Sequence, residues 1–143
     1  MLRTISPIPP FELAITVTAG DIDELDHVNN VVYLSWVQDV AIAHWAFLTS
    51  SAQRAQYVWV ALRHEIDYAA PALLGDALTA RTWTGVAQGL RFARHTEIIR
   101  SADGRVLATA LTQWCPLDRA SGRPARLSAE LAGLFAKKTL EKY

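Results

Sequence analysis

Residues 11–18, "FELAITVT", set Phe11, Leu13, Ile15 and Val17 against Glu12, Ala14, Thr16 and Thr18. A period of two over eight positions predicts a half-buried strand. The period then changes. After a polar decade, residues 31–49 place Leu34, Val37, Ala41, Trp45 and Leu48 on one stripe at helical spacing, with Val40, Ile42 and Phe47 off it. This helix spans about 28 Å at 1.5 Å per residue. Because much of its circumference is apolar, it is expected near the centre of the fold, wrapped by other elements.

Strand patterns follow. Residues 57–68, "YVWVALRHEIDY", alternate Val58, Val60, Leu62, His64, Ile66 and Tyr68 against Tyr57, Trp59, Ala61, Arg63, Glu65 and Asp67, and Pro71 with Gly75-Asp76 closes the run. Strands over 77–86 and 90–100 join across Gln88-Gly89, and 90–100 joins 105–117 across Asp103-Gly104, a strong hairpin dipeptide. These three should form an antiparallel meander. After "DRASGRP", Ser128 can cap a short helix, "AELAGLFAKK", with Glu130 near its positive end and Lys137 and Lys138 near its negative end. The order strand, long helix, four strands, short helix predicts an α+β fold, one antiparallel sheet carrying a helix on its face. A chain of 143 residues suits one domain over 1–143.

Charge narrows the function classes. Fourteen basic and fourteen acidic residues give a formal net charge of zero, so no broad basic field exists to collect nucleic acid or an anionic membrane. Any anionic ligand must be met by a few local arginines. The apolar run 31–48 is interrupted by Ser35, Gln38, Asp39 and His44, which argues against a membrane span. The amino terminus carries no apolar core followed by a cleavage site, and the single Cys115 cannot form an internal disulfide, so a cytoplasmic location is expected. His27, His44, His64 and His95 lie on separate elements with no H-x-x-x-H or cysteine partner, so no metal is expected. His64, on an apolar strand face, reads as a core or interface residue.

The polar decade "DIDELDHVNN", Asp21 to Asn30, is the chemically dense stretch. Part of it serves structure: Asn29 or Asn30 can cap the following helix. A cap does not require an aspartate and a histidine four apart, directly before a helix whose exposed N–H groups can stabilise a developing negative charge. A carboxylate there can act as nucleophile or general base, and acyl transfer needs both parts.

The longer stretch "DIDELDHVNNVVYLSW" resembles the signature of hotdog-fold thioesterases, namely the 4-hydroxybenzoyl-CoA thioesterase-like acyl-CoA hydrolases and, through "HVNN", the plant acyl-carrier-protein thioesterases. The segment "HEIDYAAPALLGD" at 64–76 is similar to a strand-to-turn segment of that family. The resemblance implies a hotdog fold, a long helix wrapped by a curved antiparallel sheet, and a thioesterase acting without cofactor. It implies that Asp23, the second aspartate of D-x-D, attacks the thioester or activates water. His27 then orients water or the carbonyl, and Asn30, by its side chain or with the backbone N–H groups of Asn30 and Val31, holds the carbonyl oxygen. Asp26 stands where the family often carries glycine, so any positive φ there falls on a residue that tolerates it better than most.

Arg91, Arg94 and Arg100 share a predicted strand and could meet the phosphates of coenzyme A. The strand at 57–68 is a candidate edge for pairing with a second copy. The resemblance implies such a homodimer, or a dimer of dimers, with the acyl chain in an apolar tunnel between subunits. The expected substrate is acyl-CoA or an acyl carrier protein thioester, with coenzyme A favoured because the neutral chain offers no basic surface to an acidic carrier. The rivals are a hotdog hydratase or dehydratase of enoyl thioesters and a non-catalytic acyl-thioester binding protein.

Overall fold

A computed structural model describes residues 10–85 and 87–136. The first strand, β1, runs over Phe11–Thr16, and the long helix α1 over Asn30–Leu48. A one-turn helix, α2 (Ser51–Arg54), precedes β2 (Tyr57–Tyr68), β3 (Ala77–Thr84), β4 (Phe92–Arg100) and β5 (Arg105–Asp118), and α3 (Ala129–Ala136) follows. The strands form one five-stranded antiparallel sheet in the order β1-β3-β4-β5-β2. The predicted meander is its centre. Ser128 caps α3, its Oγ accepting from the Leu131 N–H at 3.2 Å, whereas the expected Lys137 and Lys138 of that helix lie outside the described residues.

α1 lies on the inner face of the sheet, packed chiefly on β1 and β3. Its buried stripe is Tyr33, Trp36, Val37, Val40 and Ala41. This differs from the expected stripe through Leu34, Trp45 and Leu48, and Val40, expected off it, is fully buried. A helix apolar on nearly all sides carries too little asymmetry for the pattern to pick the face that the sheet will cover. By length and composition α1 could also cross a membrane, yet its buried face meets Leu78, Ala80, Ile98, Leu107 and Ala108 in the main core. Burying a side chain of this size stabilises the fold by about 1.5–3 kcal/mol.

β2 does not keep one alternation along its length. Ala61 pairs with Trp114 and Arg63 with Gln113, so Leu62 is an extra residue, a bulge. One extra residue reverses which parity faces inward. Before it Trp59 meets Trp45 of α1, their rings 5.5 Å apart and edge on; after it His64 bonds buried Thr112 at 2.9 Å and Tyr68 reaches α1. The face expected to carry Val58 through Tyr68 is therefore divided, and both Val58 and Leu62 are exposed. β2 is also an edge of the sheet, with no strand beyond it among the described residues.

Candidate active site

The polar decade closes on itself before α1 begins. Ile22 and Val28 form an isolated bridge, and the Asp23 N–H donates to the His27 carbonyl at 2.8 Å. One carboxylate oxygen of Asp23, Oδ1, accepts from the Leu25 N–H at 2.9 Å and from the His27 N–H at 3.4 Å. Its other oxygen makes no bond to described residues. Asp26 takes φ +61°, the left-handed conformation that costs other non-glycine residues about 1–2 kcal/mol and that Asp tolerates better. Asp21 serves the backbone instead, its Oδ2 accepting from the N–H and the hydroxyl of Thr18 and so capping the short turn at Ala19–Asp21.

The loop is anchored to the segment after β2. The Val28 N–H donates to the Ala72 carbonyl at 3.0 Å, and the Ala72 N–H donates to the Tyr33 hydroxyl at 2.9 Å. Tyr33 also meets Tyr68 edge on, ring centres 5.2 Å apart, and the Tyr68 hydroxyl donates to the Asn30 carbonyl. Burial pushes the Tyr33 phenol above its ordinary pKa, opposed by the bond from Ala72, so it remains a protonated hydroxyl.

These connections enclose an open cavity of about 390 Å³ lined by Asp23, His27, Asn29, Asn30, Tyr33 and Tyr68, with Ala69 to Pro71 on its far wall. Asp23, His27 and Asn30, expected together, share it. Asn29 is the cap: its Oδ1 accepts from the Val31 N–H at 3.0 Å. That bond occupies one of the two N–H groups expected to hold a carbonyl oxygen and leaves the Asn30 N–H without a partner among the described residues. The Val31 side chain is exposed and does not line the cavity. Tyr33 and Tyr68 were not anticipated; the one signal was a tyrosine ending a strand directly before Ala69-Ala70-Pro71.

The three arginines expected on one strand diverge. Arg91 is exposed, in the turn before β4, and Arg100, at the end of β4, pairs with Asp103 at 2.6 Å. Arg94 points inward and is only 5% exposed. It does not join a surface group facing phosphates. Among the described residues no group of three His, Cys, Asp or Glu side chains stands together as a metal site.

The sequence model of the thioesterase-like superfamily matches residues 17–135, from the end of β1 into α3. The chain belongs to the thioesterase-like superfamily. Known thioesterases share the fold. The structure superposes on a 1,4-dihydroxy-2-naphthoyl-CoA thioesterase from Synechocystis with a TM-score of 0.78 at 21% identity, covering 89% of this chain and 96% of that one. It matches YbaW, a probable thioesterase from Escherichia coli, with a TM-score of 0.75 at 24% identity over 92% of this chain and 97% of that one. It also matches a thioesterase from Thermus thermophilus complexed with coenzyme A and Zn, with a TM-score of 0.77 at 25% identity, covering 88% and 91% of the two chains. A sequence comparison with curated proteins finds no match. The sheet and its long helix are thus those of a hotdog thioesterase, and the enzyme class is thioester hydrolase.

Proposed function

We propose that this thioesterase hydrolyses an acyl-CoA, with Asp23 as the carboxylate that activates water or attacks the carbonyl and the N-terminus of α1 as the oxyanion site. The observation that carries the reading is the cavity in which the free Oδ2 of Asp23 and the exposed start of a 19-residue helix meet. In the water-activated form, Asp23 takes a proton as water adds to the thioester carbon. The resulting oxyanion is stabilised by the Asn30 N–H and the positive end of α1. Collapse breaks the carbon–sulfur bond, and the coenzyme A thiolate takes up the proton, leaving a free acid. His27, exposed at the rim with no side-chain bond to described residues, is the group available to orient water or the carbonyl.

Coenzyme A as carrier is supported by the similar naphthoyl-CoA thioesterase and by the similar thioesterase complexed with coenzyme A. A homodimer through the free edge of β2 is supported by the apolar side chains exposed beside it, Val58 and Leu62, and by Ile42 and Phe47 on α1. A second reading, acyl-thioester binding without turnover, is favoured by the loop bonds of Asp23 Oδ1, which give this residue a structural role as well. Release of free thiol from a panel of short, long and aryl acyl-CoAs, with an acyl carrier protein thioester alongside, separates the two. Turnover of a coenzyme A thioester supports hydrolysis, and its absence across the panel favours binding alone.

A further inference from the structure

A second, larger cavity of about 510 Å³ lies toward the other end of α1, lined by Ala41, Ile42 and Trp45 of the helix, Trp59 of β2, Phe92 and Arg94 of β4, Trp114 of β5 and Phe135 of α3. The twelve residues from Tyr33, in the first cavity, to Trp45 correspond to about 18 Å along the helix at 1.5 Å per residue. Its walls are aromatic: Trp45 stacks on Phe135 at 6.0 Å, and Trp59 meets Phe92 edge on at 5.4 Å.

Into this apolar space the fold places a cation without a counter-charge. Arg94 Nη1 donates to Thr82 Oγ1 and to His44 Nδ1, each at 3.0 Å. Because a guanidinium can only donate, His44 Nδ1 is the acceptor and that ring is neutral. No carboxylate pairs with Arg94 among the described residues, and its Nε and Nη2 make no bond to them. Burial lowers its pKa to about 10, still well above neutrality. Two further donors in the same walls, the indole N–H groups of Trp59 and Trp114, are buried without an acceptor among the described residues. Two other arginines line the cavity, but Arg54 donates to the carbonyls of Ala46 and Thr49, and Arg119 to those of Ala55 and Tyr57. Among the described residues no aspartate or glutamate lines it.

Burying an ion without an opposite charge is costly, and a buried donor without an acceptor adds to the cost. A purely alkyl ligand would leave that cost unrelieved. We propose that this cavity receives the far end of the acyl group and that Arg94 selects acyl groups ending in a carboxylate. The assignment rests on the thioester being cleaved at the N-terminus of α1. An extended chain advances roughly 1.2 Å per bond, from 3.3–3.6 Å per three-bond residue, so about 18 Å asks for a long chain of some fifteen bonds.

The test compares palmitoyl-CoA with the coenzyme A monothioester of hexadecanedioic acid, on wild type, Arg94→Met and Arg94→Lys, with folding followed by circular dichroism. The wild type is expected to favour the carboxylate-ended substrate at least tenfold in kcat/KM, as a site built to bond a polar group discriminates against an analogue lacking it. Arg94→Met should abolish the preference and Arg94→Lys retain part of it. A second arm needs no turnover: free hexadecanedioic and palmitic acids are titrated into the wild type while the fluorescence of the cavity tryptophans is followed, and the diacid should bind at least tenfold more tightly. Hydrolysis of both thioesters with no preference would overturn the cavity assignment while leaving the thioesterase reading intact. Tight diacid binding with no hydrolysis would keep the assignment and remove that reading. Should Arg94→Met fail to fold, the wild-type preference and Arg94→Lys decide.

Discussion

Replacing Tyr33 by Phe removes one oxygen from the place where α1 grips the wall of the active-site cavity. The Tyr33 side chain is 2% exposed and Ala72 is fully buried. With the hydroxyl gone, the Ala72 N–H loses the acceptor it held at 2.9 Å. Leaving a buried donor unsatisfied costs about 1–3 kcal/mol. The ring contacts with Trp36 and Tyr68, both at 5.2 Å, are retained, so little packing is lost besides. For 143 residues at about 2.1 cal/mol/K each, the unfolding entropy is about 0.3 kcal/mol/K, which converts the cost to a fall in Tm of about 3–10 °C. Thermal unfolding by far-ultraviolet circular dichroism reads it, with both proteins at one concentration, because association would make Tm depend on concentration. A shift under about 1 °C would mean that the Ala72 N–H finds another acceptor and that Tyr33 does not tie the helix to this wall.

Two further perturbations probe the loop and the sheet. Asp26→Gly should leave stability unchanged or slightly raised, whereas Asp26→Val should lower it by at least about 1–2 kcal/mol, since a branched side chain is ill suited to φ +61°; chemical denaturation of the two variants would show equal stabilities if the loop can adopt another conformation. His64 is held neutral by burial, its pKa lowered from 6.5. Its contribution is therefore complete above about pH 6.5 and is lost as pH falls below that value toward its lower folded pKa, where the unfolded chain takes up a proton first. The drop in Tm between pH 7.5 and pH 5.5 should be smaller in His64→Gln than in wild type, and an equal drop would exclude His64 as a source of acid sensitivity.

Local patterns carried most of the elements. Alternation marked β1, Asp103-Gly104 marked the β4–β5 turn, and the clustered asparagines marked the start of α1, because each is decided by neighbouring residues. Decisions made at long range were less visible. The bulge at Leu62 exists only because β2 pairs with β5, and nothing in "VALRH" announces it. α2 left a local trace that went unread: Ser50 and Gln53 form a reciprocal capping box. The meeting of Asp23, His27 and Asn30 at one cavity was legible because four residues of sequence and one helix end bring them together, while Tyr68 reaches the same cavity from another strand. Arg94 shows the limit most plainly, since its spacing from Arg91 and Arg100 suggested a shared surface role and only the sheet turns it inward beneath His44.

The most direct test of the account is thiol release from acyl-CoA substrates by wild type and Asp23→Asn side by side. Asparagine keeps an oxygen at the Oδ1 position to accept from the Leu25 and His27 N–H groups, so the loop should survive while the carboxylate is lost. Circular dichroism and Tm should match wild type, and kcat/KM should fall at least about 100-fold, the lower range for removing a positioned acid–base group. Undiminished turnover by a correctly folded Asp23→Asn would contradict the account and remove this carboxylate from the chemistry.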